Sequence, residues 1–92
     1  MAIKFRKDAI EFLEKANIED ASRIGEKLHQ ILIFVEEQGV IPFTKLDIKK
    51  MRGNWEVFYR LRIGKIRIVF IVDIDSAEIE IYTIGARGDV YK

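Results

Sequence analysis

Residues 55–72 run WEVFYRLRIGKIRIVFIV, and this stretch decides the fold. Trp55, Val57, Tyr59, Leu61 and Ile63 alternate with Glu56, Phe58, Arg60 and Arg62. A period of two belongs to a strand with one buried face. Gly64-Lys65 reads as a two-residue turn. Beyond it, Ile66, Ile68, Phe70 and Val72 alternate with Arg67, Val69 and Ile71. The stretch is therefore expected to form an antiparallel hairpin, with Ile63 facing Ile66 and Arg62 facing Arg67. Arg60 lies two residues back on the same side as Arg62.

Outward from the hairpin, Asp73 to Ser76 reads as a second turn and Ala77 to Ile84 as a third strand. Gly85 to Lys92 reads as a glycine-flanked loop with a short final strand. Upstream, Val40 to Gly53 reads as a loop that carries Pro42, Lys45, Lys49, Lys50 and Arg52. Two helical patterns precede it. Lys7 to Ala16 has Ile10, Leu13 and Ala16 at helical spacing beside Ala9. Asn17 then caps a second helix with one apolar stripe, Ile18, Ala21, Ile24, Leu28, Ile31, Leu32 and Val35, and Gly39 ends it. Residues 2–5 open the chain as a short strand. The expected fold is α+β and spans residues 1–92 as one domain. Two N-terminal helices pack on a small, mainly antiparallel twisted sheet in the order β-α-α-β-β-β.

Composition excludes several classes of function. There is no cysteine and one histidine, His29, so disulfide scaffolds, thiolate zinc sites and multi-histidine metal sites are not expected. No apolar run reaches the roughly 18 residues of a membrane span. The N-terminus becomes charged at Lys4 before an apolar run develops, so no signal peptide is expected and the expected location is the cytoplasm. Charge is uneven along the chain. Between Lys45 and Arg67 there are eight basic residues and two acidic ones, although the net charge of the chain is +1. Such a local field attracts polyanions.

The arginines carry the functional argument. Arg60, Arg62 and Arg67 share one face of two adjacent strands, and like charges directly opposite each other destabilise a sheet. Two structural explanations compete with function: Glu56, Glu78 or Glu80 neutralises the arginines, or their stems cover apolar surface. The functional explanation is phosphate, whose oxygens match the planar guanidinium fork. Arg87, between Gly85 and Gly88, could swing over the sheet edge, and Tyr91 is a core aromatic or a base-stacking platform. Lys49, Lys50 and Arg52 extend the basic field. On the second helix Ile33 points away from the apolar stripe and Phe34 lies to one side; they are scattered surface hydrophobes or a patch for another chain. Acid–base chemistry is poorly provided for, with His29 away from the arginine face and Glu56, which alternates onto it, the candidate base.

Three segments together resemble the RelE family of bacterial and archaeal toxins: Lys50-Met51-Arg52-Gly53, the run from Tyr59 to Phe70, and the run from Ile84 to Tyr91. The match follows the order and length of the chain, including the two leading helices. It implies a toxin of a type II toxin–antitoxin pair, neutralised by a cognate antitoxin and cleaving messenger RNA in the ribosomal A site. The reaction implied is attack of a ribose 2′-hydroxyl on the adjacent phosphate, with no metal or other cofactor. By this resemblance Arg67, Arg87 and Tyr91 are the catalytic residues, while Arg60 and Arg62 bind and orient the RNA backbone; if Ile33 and Phe34 form a patch for another chain, the antitoxin is the partner expected there.

The match has departures. Ala86 stands where many relatives carry lysine or histidine, and Ile66 and Phe70 stand where tyrosine is frequent. Two other expectations therefore stay open: a ParE-type poison of DNA gyrase on the same fold, and a catalytically degenerate protein that still binds an antitoxin.

Overall fold

The computed structural model describes residues 2–52 and 57–86. The elements run β1 (Ala2–Phe5), α1 (Lys7–Lys15), α2 (Ile18–Gln38), β2 (Ile48–Lys50), β3 (Tyr59–Ile63), β4 (Ile66–Asp73) and β5 (Glu78–Ala86). The strands form one sheet in the order β1-β5-β4-β3-β2. β1 runs parallel to β5, and the other pairings are antiparallel. The result is two N-terminal helices on an open, mostly antiparallel sheet, as the patterns predict.

Helix α2 is bounded as its end residues dictate. The Asn17 side chain accepts a hydrogen bond of 2.8 Å from the Asp20 N–H, which satisfies one orphan donor of the first turn. At the other end Gly39 adopts φ 69°, and its N–H donates to the Val35 carbonyl at 2.9 Å. A left-handed residue there stops the helix, and glycine adopts that conformation without a Cβ clash. Ile24, Leu28, Ile31 and Val35 are buried and meet Leu61, Ile68, Phe70, Ile79 and Ile81 of the sheet in one apolar cluster. Both partners need this contact, because neither an isolated helix nor a single sheet face is stable in water.

Four expectations require correction. Residues 40–53 are not one loop: Ile48–Lys50 pairs with the outer edge of β3, with Ile48 opposite Leu61 and Lys49 opposite Arg60. Val57 is not in the strand. It lies in a turn and is 66% exposed, while Trp55 and Glu56 fall outside the described residues. Ile18 is 81% exposed and Ile10 is 44% exposed, so neither belongs to the buried stripe of its helix. Helix α1 instead turns Ala9, Phe12 and Leu13 toward the core, because a helix of nine residues fixes its phase by docking on β5. The third strand of the meander starts at Glu78 and continues to Ala86. Ala77 belongs to the turn before it, with φ 54°. The expected tail loop and final strand beyond Ala86 lie outside the described residues. Among the described residues no helix is long and apolar enough to cross a membrane.

Candidate nucleic-acid interface

Helices α1 and α2 cover one face of the sheet, and the charged side chains lie on the other. The β3–β4 hairpin closes as expected, with Ile63 opposite Ile66 and Arg62 opposite Arg67. Directly opposed residues of an antiparallel pair point to the same face, so two rungs can be traced across the open side. One begins at Lys49 and passes through Arg60 and Val69 to Thr83. The next passes through Arg62 and Arg67 to Gly85, where no side chain stands beyond Arg67. Lys49, Arg60, Arg62 and Arg67 are thereby brought together on four adjacent rung positions.

The second rung has a further member. The Arg62 N–H donates to the Asp47 carbonyl at 2.9 Å, which places Asp47 opposite Arg62, one residue before β2. Its carboxylate accepts from Arg62 Nε at 2.8 Å and from Arg60 Nη2 at 3.4 Å. One carboxylate thus spans two guanidinium groups. The acids expected to neutralise the arginines are engaged elsewhere: Glu78 pairs with Lys4 at 3.5 Å and Glu80 with Arg6 at 2.8 Å, while Glu56 lies outside the described residues. Arg60 and Arg62 differ in exposure. The Arg60 side chain is only 11% exposed and its Nε is buried without a partner, whereas the Arg62 side chain is 45% exposed.

A bulge shapes the middle of this face. Val69 is opposite Thr83 but Phe70 is opposite Ile81, so Tyr82 has no direct cross-strand partner. Ile81 and Ile84 both point to the core, and the extra residue turns Tyr82 as well as Thr83 outward. Tyr82 meets Phe58 edge to face at a centroid distance of 4.5 Å. Arg6 donates to the Tyr82 hydroxyl at 2.9 Å and stands 4.3 Å from the ring centroid. The Glu80 hydrogen bond, with smaller contributions from Tyr82 and the Glu80 charge, raises the Arg6 pKa above its ordinary value, so Arg6 is cationic at any working pH. The open face therefore has a basic half on β2–β4 and a balanced half of paired charges on β1 and β5, with an aromatic pair between.

Other sequence-selected residues are distributed differently. Lys50 is opposite Tyr59, whose rung continues to Phe70 in the core, so Lys50 alternates away from the arginine face at the sheet edge. Arg52 is exposed two residues beyond β2. Arg87 and Tyr91 lie outside the described residues. Ala86, the last residue of β5, is exposed opposite Ile66. Ile33 and Phe34 come together on the far side of α2. With Gln30, Glu37, Pro42 and Lys45 they line a groove of about 330 Å³, where the Lys45 ammonium stands 5.1 Å from the Phe34 ring centroid. His29 is exposed on α2 and has no place on the arginine face.

Sequence reading missed Asp47, Tyr82 and Arg6. Asp47 becomes visible only once β2 is paired, and Tyr82 only once the bulge is known. Arg6 precedes a helix and carries no pattern of its own.

Comparison with known proteins places this geometry in context. A curated protein of Methanocaldococcus jannaschii, named as a RelE-type toxin (RelE1), is 37% identical over 76 residues, which are 83% of each chain. An archaeal RelE–RelB complex from Pyrococcus horikoshii superposes with a TM-score of 0.70 at 24% identity over 97% of each chain. A YoeB/ParE toxin from Agrobacterium tumefaciens superposes with a TM-score of 0.72 at 14% identity, over 95% of this chain and 99% of its own. These two structural likenesses speak for the fold. No family model matches the chain.

Proposed function

The chain belongs to the RelE family of toxins, and from that premise we propose that it is the toxin of a type II toxin–antitoxin pair, a ribosome-dependent endoribonuclease that cleaves translated messenger RNA. One observation carries the reading: Arg62 and Arg67 directly opposed on an open sheet face, with Arg60 and Lys49 beside them. Guanidinium groups converging on one patch suit the phosphates of a single nucleic-acid strand.

In the proposed reaction a ribose 2′-oxygen attacks the adjacent phosphorus as the bond to the 5′-oxygen breaks. The products are a 2′,3′-cyclic phosphate and a free 5′-hydroxyl, and no metal takes part. Arg67 and Arg87 stabilise the charge that develops on the phosphoryl oxygens. Arg60 and Arg62, extended by Lys49 and Arg52, neutralise and orient the backbone, whereas Lys50, expected in the same role, points away from their face. Tyr91 aligns the nucleotide at the nucleophile. An arginine is a poor general base, so much of the acceleration comes from orientation in the ribosomal A site. The antitoxin contacts Ile33 and Phe34, whose groove offers apolar surface next to charge.

A second reading rests on Ala86. A methyl group stands at the end of β5 where many relatives carry a cation, which favours a weakened or catalytically degenerate toxin that keeps its antitoxin. Expression without antitoxin separates the readings. The first expects growth arrest with transcripts cut inside translated codons, and loss of cutting by about 10²–10³-fold in Arg67→Ala or Arg87→Ala with the fold retained. Arrest with intact transcripts and DNA-break signalling would transfer the protein to the gyrase-poison class. No arrest, with antitoxin binding intact, would leave the degenerate reading.

A further inference from the structure

Asp47 has no part in the function as proposed, yet it occupies the centre of the basic patch. Its two carboxylate oxygens reach two arginines, at 2.8 Å to Arg62 Nε and 3.4 Å to Arg60 Nη2. Two equivalent oxygens sharing one negative charge are also what a phosphodiester presents to a pair of guanidinium groups. The match is incomplete in a telling way. The contact to Arg60 is long, the Arg60 Nε stays without a partner, and the Asp47 side chain is 40% exposed. The shorter pair, Asp47 with Arg62, is half-exposed on both sides, and such pairs are weak. Asp47 is also held by its backbone, through the carbonyl that accepts from the Arg62 N–H, so its carboxylate can swing away without unpairing the strand.

We infer that Asp47 is an internal stand-in for phosphate, which holds Arg60 and Arg62 together in the free protein and is displaced when a nucleic-acid backbone binds. This rests on the reading of the arginine face as an RNA-phosphate site. Asp47 relieves the repulsion among the arginines and thereby competes with the ligand they serve. Removing its charge while keeping its shape raises affinity for a polyanion, provided that the arginines remain.

The experiment follows binding of a short fluorescein-labelled single-stranded RNA by anisotropy across a salt series. It uses the full-length wild type, Asp47→Asn, Arg62→Gln and the double variant. Asp47→Asn is expected to bind about three- to fivefold tighter at low salt, the size of a released exposed pair. Its plot of log K against log salt is expected to steepen by about 0.7, one more phosphate contact on a single strand. The gain should shrink in the Arg62→Gln background, where only the longer contact to Arg60 is left to release. Weaker or unchanged binding by Asp47→Asn overturns the inference, and so does a gain of undiminished size without Arg62, which reports general electrostatics. Should the wild type bind without salt dependence and Arg62→Gln bind equally well, the phosphate reading of the face itself fails, which is a different result. A second measurement needs no variant. The Arg62 Nε–H resonance, set by its bond to Asp47, is expected to move when RNA is added, and a stationary resonance overturns the exchange.

Discussion

Arg62 and Arg67 stand directly opposite each other across a hairpin closed by Gly64 and Lys65, so two like charges share one rung of the sheet. Unrelieved, such a pair opposes folding by about 0.2–1 kcal/mol, and the Asp47 carboxylate on Arg62 offsets part of that cost. Arg62→Gln should therefore leave unfolding by urea within about 1 kcal/mol of the wild type. The same change should weaken single-stranded RNA binding for all sequences alike and reduce the salt slope by about 0.7. Loss for one base sequence alone would mean that Arg62 reads bases rather than phosphate.

Helix α2 offers a matched pair of glycines. Gly39 has φ 69° and Gly25 lies within the helix, and a Cβ at either position meets nothing within 4 Å. Space is equal, so backbone conformation decides the sign. Gly39→Ala should destabilise by about 1–2 kcal/mol, the strain of a left-handed alanine. Gly25→Ala should stabilise by about 0.5–1 kcal/mol. Shifts of the same sign in chemical denaturation would refute the C-cap assignment.

Ala77 carries the same strain in its native form, with φ 54° in the turn before β5. Ala77→Gly is expected to raise stability by about 1 kcal/mol. A fall in the thermal midpoint would indicate that the half-buried methyl contributes more packing than the turn loses in strain.

Phe70 is fully buried at the sheet centre, with Tyr59 at a centroid distance of 5.8 Å. Phe70→Ala should lose about 3–5 kcal/mol, a large fraction of what a domain of this size has available. Phe70→Leu should lose much less, and equal losses would show that volume at this position is not what holds the helices to the sheet.

Ile33 is 39% exposed and lines the groove on α2. Ile33→Asp should change stability by no more than about 0.5 kcal/mol, as surface changes do. Its complex with antitoxin should weaken by at least about tenfold, the cost of a charge in an apolar contact. Unchanged affinity in calorimetry would move the antitoxin to another face.

The register of the β3–β4 hairpin was legible because alternation and a glycine turn specify it locally, and the opposed arginines followed from it. The ends of α2 were legible for the same reason, since Asn17 and Gly39 act on their own neighbours. What escaped reading depends on distant partners. Ile48–Lys50 is too short to show a period and is a strand only because β3 offers an edge. The buried face of α1 could not be told from a nine-residue wheel, and docking on β5 chose Phe12 over Ile10. The outward turn of Tyr82 requires an irregularity that alternating Ile79 and Ile81 do not announce. At the basic patch, the arginines carried a signal in their spacing. Asp47 carried none, because its importance arises from two bonds formed across a strand pair that reading had not foreseen.

The pairing of β1 with β5 has an outcome during synthesis. Ala2 stands in register with Glu78 and its N–H donates to the Ala77 carbonyl at 3.4 Å, so a strand made early waits for one made much later. A ribosome paused anywhere before β5 emerges holds a chain whose helices have only part of a sheet to rest on. The helices thus gain their full support only once β5 has been made, and a product stopped before it lacks the scaffold that aligns the arginines.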